Sequence, residues 1–139
     1  MTRAHLFDEL LPDGRHIWRT LGYRLVESSR ERSVVEWDAP EELTFPTGGR
    51  SIVHGGMLAT LLDTAMGRAC AEHLGWGETF LTADLHVDFY RSAVPGTLRA
   101  EAWVVHRGRR AVYCQAELYD TEGTLLASAR CTQIVRGSG

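Results

Sequence analysis

The stretch from Ser51 to Leu74 is the strongest constraint on the fold: an apolar run with helical spacing, closed by Gly75 and Gly77. A helix over that span is roughly as long as a small domain is wide. Everything around it reads as strand. After it, TFLTADLHVDFY, TLRAEAWVVH, AVYCQAELYD and TLLASARCTQIV are separated by turns at Pro95-Gly96, at Gly108 and at Thr121-Glu122-Gly123. Before it, YRLVESS and SVVEWDA flank Arg30-Glu31-Arg32 as a hairpin, and residues 39–50 read as loop. Leu6, Phe7, Leu10 and Leu11, then Ile17, Trp18 and Leu21, give a short N-terminal helical segment interrupted at Pro12-Asp13-Gly14. Strands and helix do not alternate as parallel units do, so the fold class is α+β. One long helix with a six-stranded antiparallel sheet implies that the sheet wraps the helix. The length suits a single domain over residues 1–139.

A formal net charge of −3 argues against a general nucleic-acid binder, which carries a basic excess. All 15 basic residues are Arg, whose planar fork suits phosphate. Cys70, Cys114 and Cys131 are odd in number and sit inside apolar patterns, which implies reduced thiols rather than a disulfide framework. No run reaches the ~18 apolar residues of a membrane span, and MTRAHLFDELLPDG lacks an apolar targeting core. The expectation is a soluble, cytoplasmic protein with no membrane or nucleic-acid partner.

Within the helical run, Leu58, Leu61, Leu62, Ala65 and Ala69 share one face. Asp63 lies about 140° from Leu58, in a stripe of small residues formed by Gly56, Ala59, Gly67 and Cys70. Small residues let a second body approach closely, so this acid is either a solvated surface group or a functional one. His54-Gly55-Gly56 bears on the choice. The first N–H groups of a helix lack internal acceptors and carry the positive end of its dipole. Glycine there lets an acyl oxygen or a phosphate come near. A carbonyl held on the Gly55 N–H would be polarised as in an oxyanion hole. Gly55 and Asp63 are eight residues apart, ~12 Å along one helix, so a single carbonyl does not easily reach both. A dimer in which Gly55 of one chain faces Asp63 of the other brings them together.

The run HGGMLATLLDTAMG, with LTADLHVDFYRSAVPGTLRAEAWVVHRGRRAVYCQAELYDTEGTLLASARCTQIV after it, resembles the hotdog-fold thioesterases of the phenylacetate-pathway (PaaI-like) subfamily over about residues 15–136. The resemblance implies a long helix wrapped by an antiparallel sheet. It also implies active sites at dimer interfaces, often in a dimer of dimers, and an acyl-CoA substrate with no further cofactor. Carried over, Gly55 becomes the backbone donor to the thioester carbonyl. Asp63 of the other chain becomes the nucleophile or general base, and Thr82 orients the attacking water or the carboxylate. Many members carry an Asn six residues before the motif His; here Gly48 stands there, with Thr47 or Ser51 as candidate substitutes. His54 is about half a turn out of phase with Asp63, so its expected role is to orient the loop and helix start. Gly56, Arg91, His106, Arg107, Gly108 and Arg109 are the candidates for binding the substrate and the phosphates of coenzyme A.

In TFLTADLHVDFY, alternation sets Leu81, Leu85, Val87 and Phe89 on one side, with Thr82, Asp84, His86 and Asp88 on the other. Asp84, His86 and Asp88 span ~13 Å of extended strand, too far to converge on a metal ion. Cys70 reads as a small buried hydrophobe rather than a nucleophile. The expected reaction is hydrolysis of an acyl-CoA, aryl or medium-chain, to free acid and coenzyme A. Two alternatives stand beside it: a non-catalytic acyl-CoA binder or sensor, which Gly48 favours, and an enoyl-CoA hydratase, which the HGG…D pattern disfavours.

Overall fold

The structure is a computed structural model that describes residues 16–137. The helical turns expected over residues 4–14 lie outside them. In chain order the elements are α1 (Ile17–Leu21), β1 (Arg24–Ser28), β2 (Ser33–Ala39), β3 (Thr44–Thr47), β4 (Arg50–Val53), α2 (Gly55–Ala71), β5 (Thr79–Phe89), β6 (Gly96–Arg107), β7 (Ala111–Tyr119) and β8 (Leu125–Arg136). Six strands form one antiparallel sheet in the order β1-β2-β6-β7-β8-β5, and β3 and β4 form a separate hairpin. The expected class, α+β with one long helix against a six-stranded antiparallel sheet, is borne out.

The helix is shorter than its apolar run. It spans 17 residues, because Ser51, Ile52 and Val53 belong to β4, pairing with Pro46, Phe45 and Thr44. Residues 39–50 are correspondingly a single 3-10 turn and a hairpin rather than loop. Gly48 and Gly49 carry φ of 53° and 76°, the doubly left-handed geometry that a two-residue hairpin turn requires and glycine supplies without strain.

The inward face of α2 falls where its phase places it. Leu58, Leu61, Leu62, Ala65 and Ala69 are all buried against the sheet. Opposite them, Ala100 and Ala102 of β6 and Ala116 of β7 keep the sheet surface low enough for the helix to lie close, while Trp37, Leu98 and Leu118 fill the flanks. Trp37 Nε1 donates to Leu21 O at 2.7 Å and ties the end of α1 to β2.

β5 departs from the regular alternation read in the sequence. Thr82 lies opposite Gln133 and Asp84 opposite Thr132, so Ala83 is an extra residue, a β-bulge. Directly opposed residues share a face, and Cys131, Gln133 and Val135 are buried whereas Ile134 is exposed. Phe80 and Thr82 therefore point toward α2 before the bulge, and Leu85, Val87 and Phe89 do so after it. The expected grouping of Thr82 with Asp84, His86 and Asp88, and of Leu81 with Leu85, is overturned at the bulge. Asp84 Oδ1 accepts the Thr132 N–H at 2.9 Å, so a side chain satisfies a main-chain donor beside the bulge.

Candidate active site

α2 and β5 run past each other in opposite directions, with three points of contact. A Cβ on Gly67 would lie 3.3 Å from the Phe80 ring, and one on Gly55 would lie 3.4 Å from the Phe89 ring. Between them Thr82 Oγ1 donates to Asp63 Oδ1 at 3.0 Å. The small-residue stripe thus makes room, at Gly67, for an aromatic ring of the same chain. Asp63 is half-buried. Burial pushes its carboxyl above the ordinary value, and the Thr82 hydrogen bond offsets part of that shift. The result is a carboxylate of increased basicity, held by one hydroxyl.

The start of α2 is capped by His54, whose Nδ1 accepts the Gly56 N–H at 2.9 Å. That bond leaves the ring proton of the neutral imidazole on Nε2. The Met57 and Leu58 N–H groups both donate to His54 O, at 2.9 and 3.2 Å. Of the first four donors of the helix, Gly55 N–H is the one with no acceptor among the described residues. Gly56, expected among the substrate-binding residues, has its N–H taken by the cap. His54 acts on the helix start and not on Asp63.

The candidates for the nucleotide part of the substrate do not form one cluster within a chain. His106, Arg107, Gly108 and Arg109 lie at the β6–β7 turn, beside the end of β8 that pairs with Leu81. Arg91 follows Phe89 at the other end of β5, with its N–H on Leu126 O. About ten strand residues, roughly 30 Å, separate the two. Arg107 is also committed elsewhere. Its Nη2 donates to both carboxylate oxygens of Glu78, at 3.1 and 2.9 Å, and its Nη1 is buried. Glu78 in turn accepts the Gly75 N–H at 2.6 Å, so this ion pair fastens the α2–β5 connection to β6. In the chain without ligand Arg107 is held in this ion pair, whereas Arg91 and Arg109 are exposed. His106 stacks on Tyr113 at 6.1 Å between ring centroids.

Several other expectations acquire a location. The three cysteines are free and buried, and burial pushes the Cys70 thiol up to about 12, which removes it as a nucleophile. His86 Nε2 lies 3.0 Å from Asp88 Oδ1 on the outer face, remote from Asp63. Gly48 sits at the tip of the β3–β4 hairpin, where a Cβ would meet no atom within 4 Å. Among the described residues, no helix is long and apolar enough to cross a membrane.

Sequence reasoning passed over Gln133. It is wholly buried, faces Thr82 across β5 and β8, and has its amide oxygen 3.0 Å from Thr82 Oγ1. The signal was present: in CTQIV the alternation that buries Cys131 and Val135 also buries the residue between them.

Residues 51–127, which contain Gly55, Asp63 and Thr82, match the Thioesterase superfamily. The medium/long-chain acyl-CoA thioesterase YigI of Escherichia coli strain K12 is 30% identical over 130 residues, covering 84% of this chain and 83% of its own. A crystal structure of a thioesterase-superfamily protein is 36% identical, with a TM-score of 0.81 over 96% of each chain. A phenylacetic acid degradation-related protein of Ralstonia eutropha JMP134 is 26% identical, with a TM-score of 0.82 over 95% of this chain and 98% of its own. The chain belongs to the thioesterase superfamily and has its hotdog fold, a long helix backed by a curved antiparallel sheet.

Proposed function

We propose that the protein is a cytoplasmic acyl-CoA thioesterase that hydrolyses an aryl or medium-chain acyl-CoA to the free acid and coenzyme A. The observation that carries the reading is the Asp63 carboxylate, raised in basicity by burial and held by Thr82, in a chain whose helix start offers an unused N–H at Gly55. The Gly55 N–H and the helix dipole polarise the thioester carbonyl. Asp63 removes a proton from water as its oxygen attacks the carbonyl carbon. Alternatively, Asp63 attacks first and water hydrolyses the resulting anhydride. In either route the C–S bond breaks and the coenzyme A thiolate takes up a proton.

The site is completed by a second copy of the chain. β5 is the edge of the six-stranded sheet and presents Leu81, Leu85 and Phe89, with the adjoining Tyr90, as exposed apolar side chains. Within one chain, Gly55 lies at the Phe89 end of β5 and Asp63 at the Thr82 end. Antiparallel pairing of two β5 strands about a two-fold axis exchanges those ends. It puts the partner's Gly55 beside Asp63, and by the same operation brings the partner's Arg91 toward the turn that carries Arg109. Two exposed guanidinium groups that lie apart in one chain then converge on the position of the nucleotide phosphates.

A panel of aryl, short, medium and long acyl-CoA thioesters, followed by released thiol, tests the reading. Asp63→Asn is expected to lower kcat by about 10²–10⁴-fold with the fold intact; a fully active variant overturns it. Binding without turnover across the panel would favour the non-catalytic sensor, to which Gly48 in place of the expected Asn points. Hydration of an enoyl-CoA without thiol release would favour the hydratase.

A further inference from the structure

The inward residues of β8 are Ala127, Ala129, Cys131, Gln133 and Val135, and Gln133 is the only amide among them. Its side chain lies between two neighbours. Thr82 Oγ1 is 3.0 Å from the amide oxygen, and the amide nitrogen is 3.3 Å from Cys131 Sγ. Thr82 Oγ1 also lies 3.0 Å from Asp63 Oδ1. The hydroxyl thus faces two acceptors with a single proton. If it donates to Asp63, the fully buried Gln133 oxygen is left without a donor among the described residues; if it donates to Gln133, Asp63 loses the one side-chain hydrogen bond it has among those residues.

Turning the amide by 180° occupies the same space and removes the conflict. Gln133 Nε2 then donates to Thr82 Oγ1, Thr82 donates to Asp63 Oδ1, and the Cys131 thiol donates to Gln133 Oε1. Cys114 lies directly opposite Cys131 in the β7–β8 ladder. Cys131, Gln133 and Thr82 each donate along this line, and the direction runs from β8 through β5 to the carboxylate on α2. We infer that Gln133 is a positioning residue whose amide donates to Thr82 and so commits the Thr82 proton to Asp63. The inference rests on Asp63 being the reacting carboxylate. The titratable groups facing this chain of atoms are Asp63 and Cys70 on α2, Asp84 on β5, Cys114 on β7 and Cys131 on β8, with Glu78 and Arg107 beyond Cys70.

Gln133→Met keeps the length of the side chain and removes the amide. With the acyl-CoA that the wild type turns over best, kcat at neutral pH is expected to fall about tenfold with KM within about twofold. The acid limb of kcat/KM should move to higher pH, because a Thr82 hydroxyl free to rotate holds the ionised Asp63 less well. In a Thr82→Val background, Gln133→Met should leave the pH profile where Thr82→Val alone put it. Cys131→Ala should shift the limb in the same direction and Cys131→Ser should not, which keeps the test available if Gln133→Met fails to fold. A Gln133→Met profile that superimposes on the wild type, or an effect that adds in full to Thr82→Val, overturns the inference. For a Gln133→Met chain that does not fold, a Cys131→Ala profile that does not move overturns it equally. An Asp63→Asn variant with full activity would instead remove the catalytic reading itself, and that result is independent of residue 133.

Discussion

Ionising Asp63 works against its surroundings. Burial lifts its proton affinity and Thr82 restores part of the balance. A carboxyl with a raised value in the folded state binds more protons there than in the unfolded chain, across the interval between the two values. Stability therefore falls as pH rises through that interval and stays lower above it. Asp63→Asn removes this cost while keeping the shape of the side chain. The variant is expected to melt above the wild type at neutral pH, with the gain lost as the pH falls below the ordinary carboxylate range. Thermal melts across pH check it, and a neutral-pH melting point below the wild type contradicts it. Thr82→Val acts on the same carboxylate through its hydrogen bond: without the hydroxyl, the acid limb of kcat/KM should move upward, whereas Thr82→Ser should keep it in place. The same scale separates the arginines. Arg107→Ala breaks a pair with Glu78 and should lower the melting point with equal effect on CoA and pantetheine thioesters. Arg109→Ala and Arg91→Ala should raise KM for the CoA thioester alone.

Among the elements, β5 shows most clearly what was legible in the chain and what was not. The inward phase of α2, the run of four strands after it and the hairpin before it follow from apolar periodicity, and the structure agrees with all of them. The β3–β4 hairpin was missed because its strands are four residues each and carry Pro46, Arg50 and Ser51 where alternation would be sought. Gly48-Gly49 was its signal, since adjacent glycines are the cheapest way to two positive φ values. The bulge left no trace in composition. Ala83 is small and neutral, and TADLHVD alternates without interruption, so strict period two set Thr82 on the wrong side. Only pairing with β8, whose Gln133 and Thr132 are consecutive, exposes the extra residue. Deleting Ala83 should accordingly leave every side chain of β5 on its present face. Such a variant is expected to fold and to keep activity within about tenfold, whereas deleting His86 turns one arm of the strand over and should abolish activity. Circular dichroism and thiol release distinguish the two; loss of activity on deleting Ala83 alone would mean that the bulge itself shapes the site.

At the scale of the whole molecule, the proposed sharing of donor and base between two chains would make assembly part of the chemistry, and complementation between variant chains tests that. Gly55 is the first residue of α2, a position where proline fits the helix, and a Cβ there would meet the Phe89 ring at 3.4 Å, an ordinary contact distance. The preceding His54, at φ −59° and ψ 131°, already has the extended backbone that proline demands of its neighbour. Gly55→Pro should therefore keep the fold and lose about 10²–10³-fold in kcat. Asp63→Asn is expected to lose activity for a different reason, the loss of the base. In a mixed dimer of the two, one site receives proline and asparagine together, and the other receives an intact Gly55 from one chain and an intact Asp63 from its partner. Random mixing makes half of the dimers mixed and restores one of their two sites, so about a quarter of the wild-type rate should return when the variants are unfolded and refolded together. Refolded separately and then combined, they should stay inactive for as long as the dimers do not exchange. If each site instead drew both groups from one chain, every site in the mixture would carry a defect and co-refolding would restore nothing. The recovered fraction therefore reads the provenance of the two groups directly, without any need to see the interface.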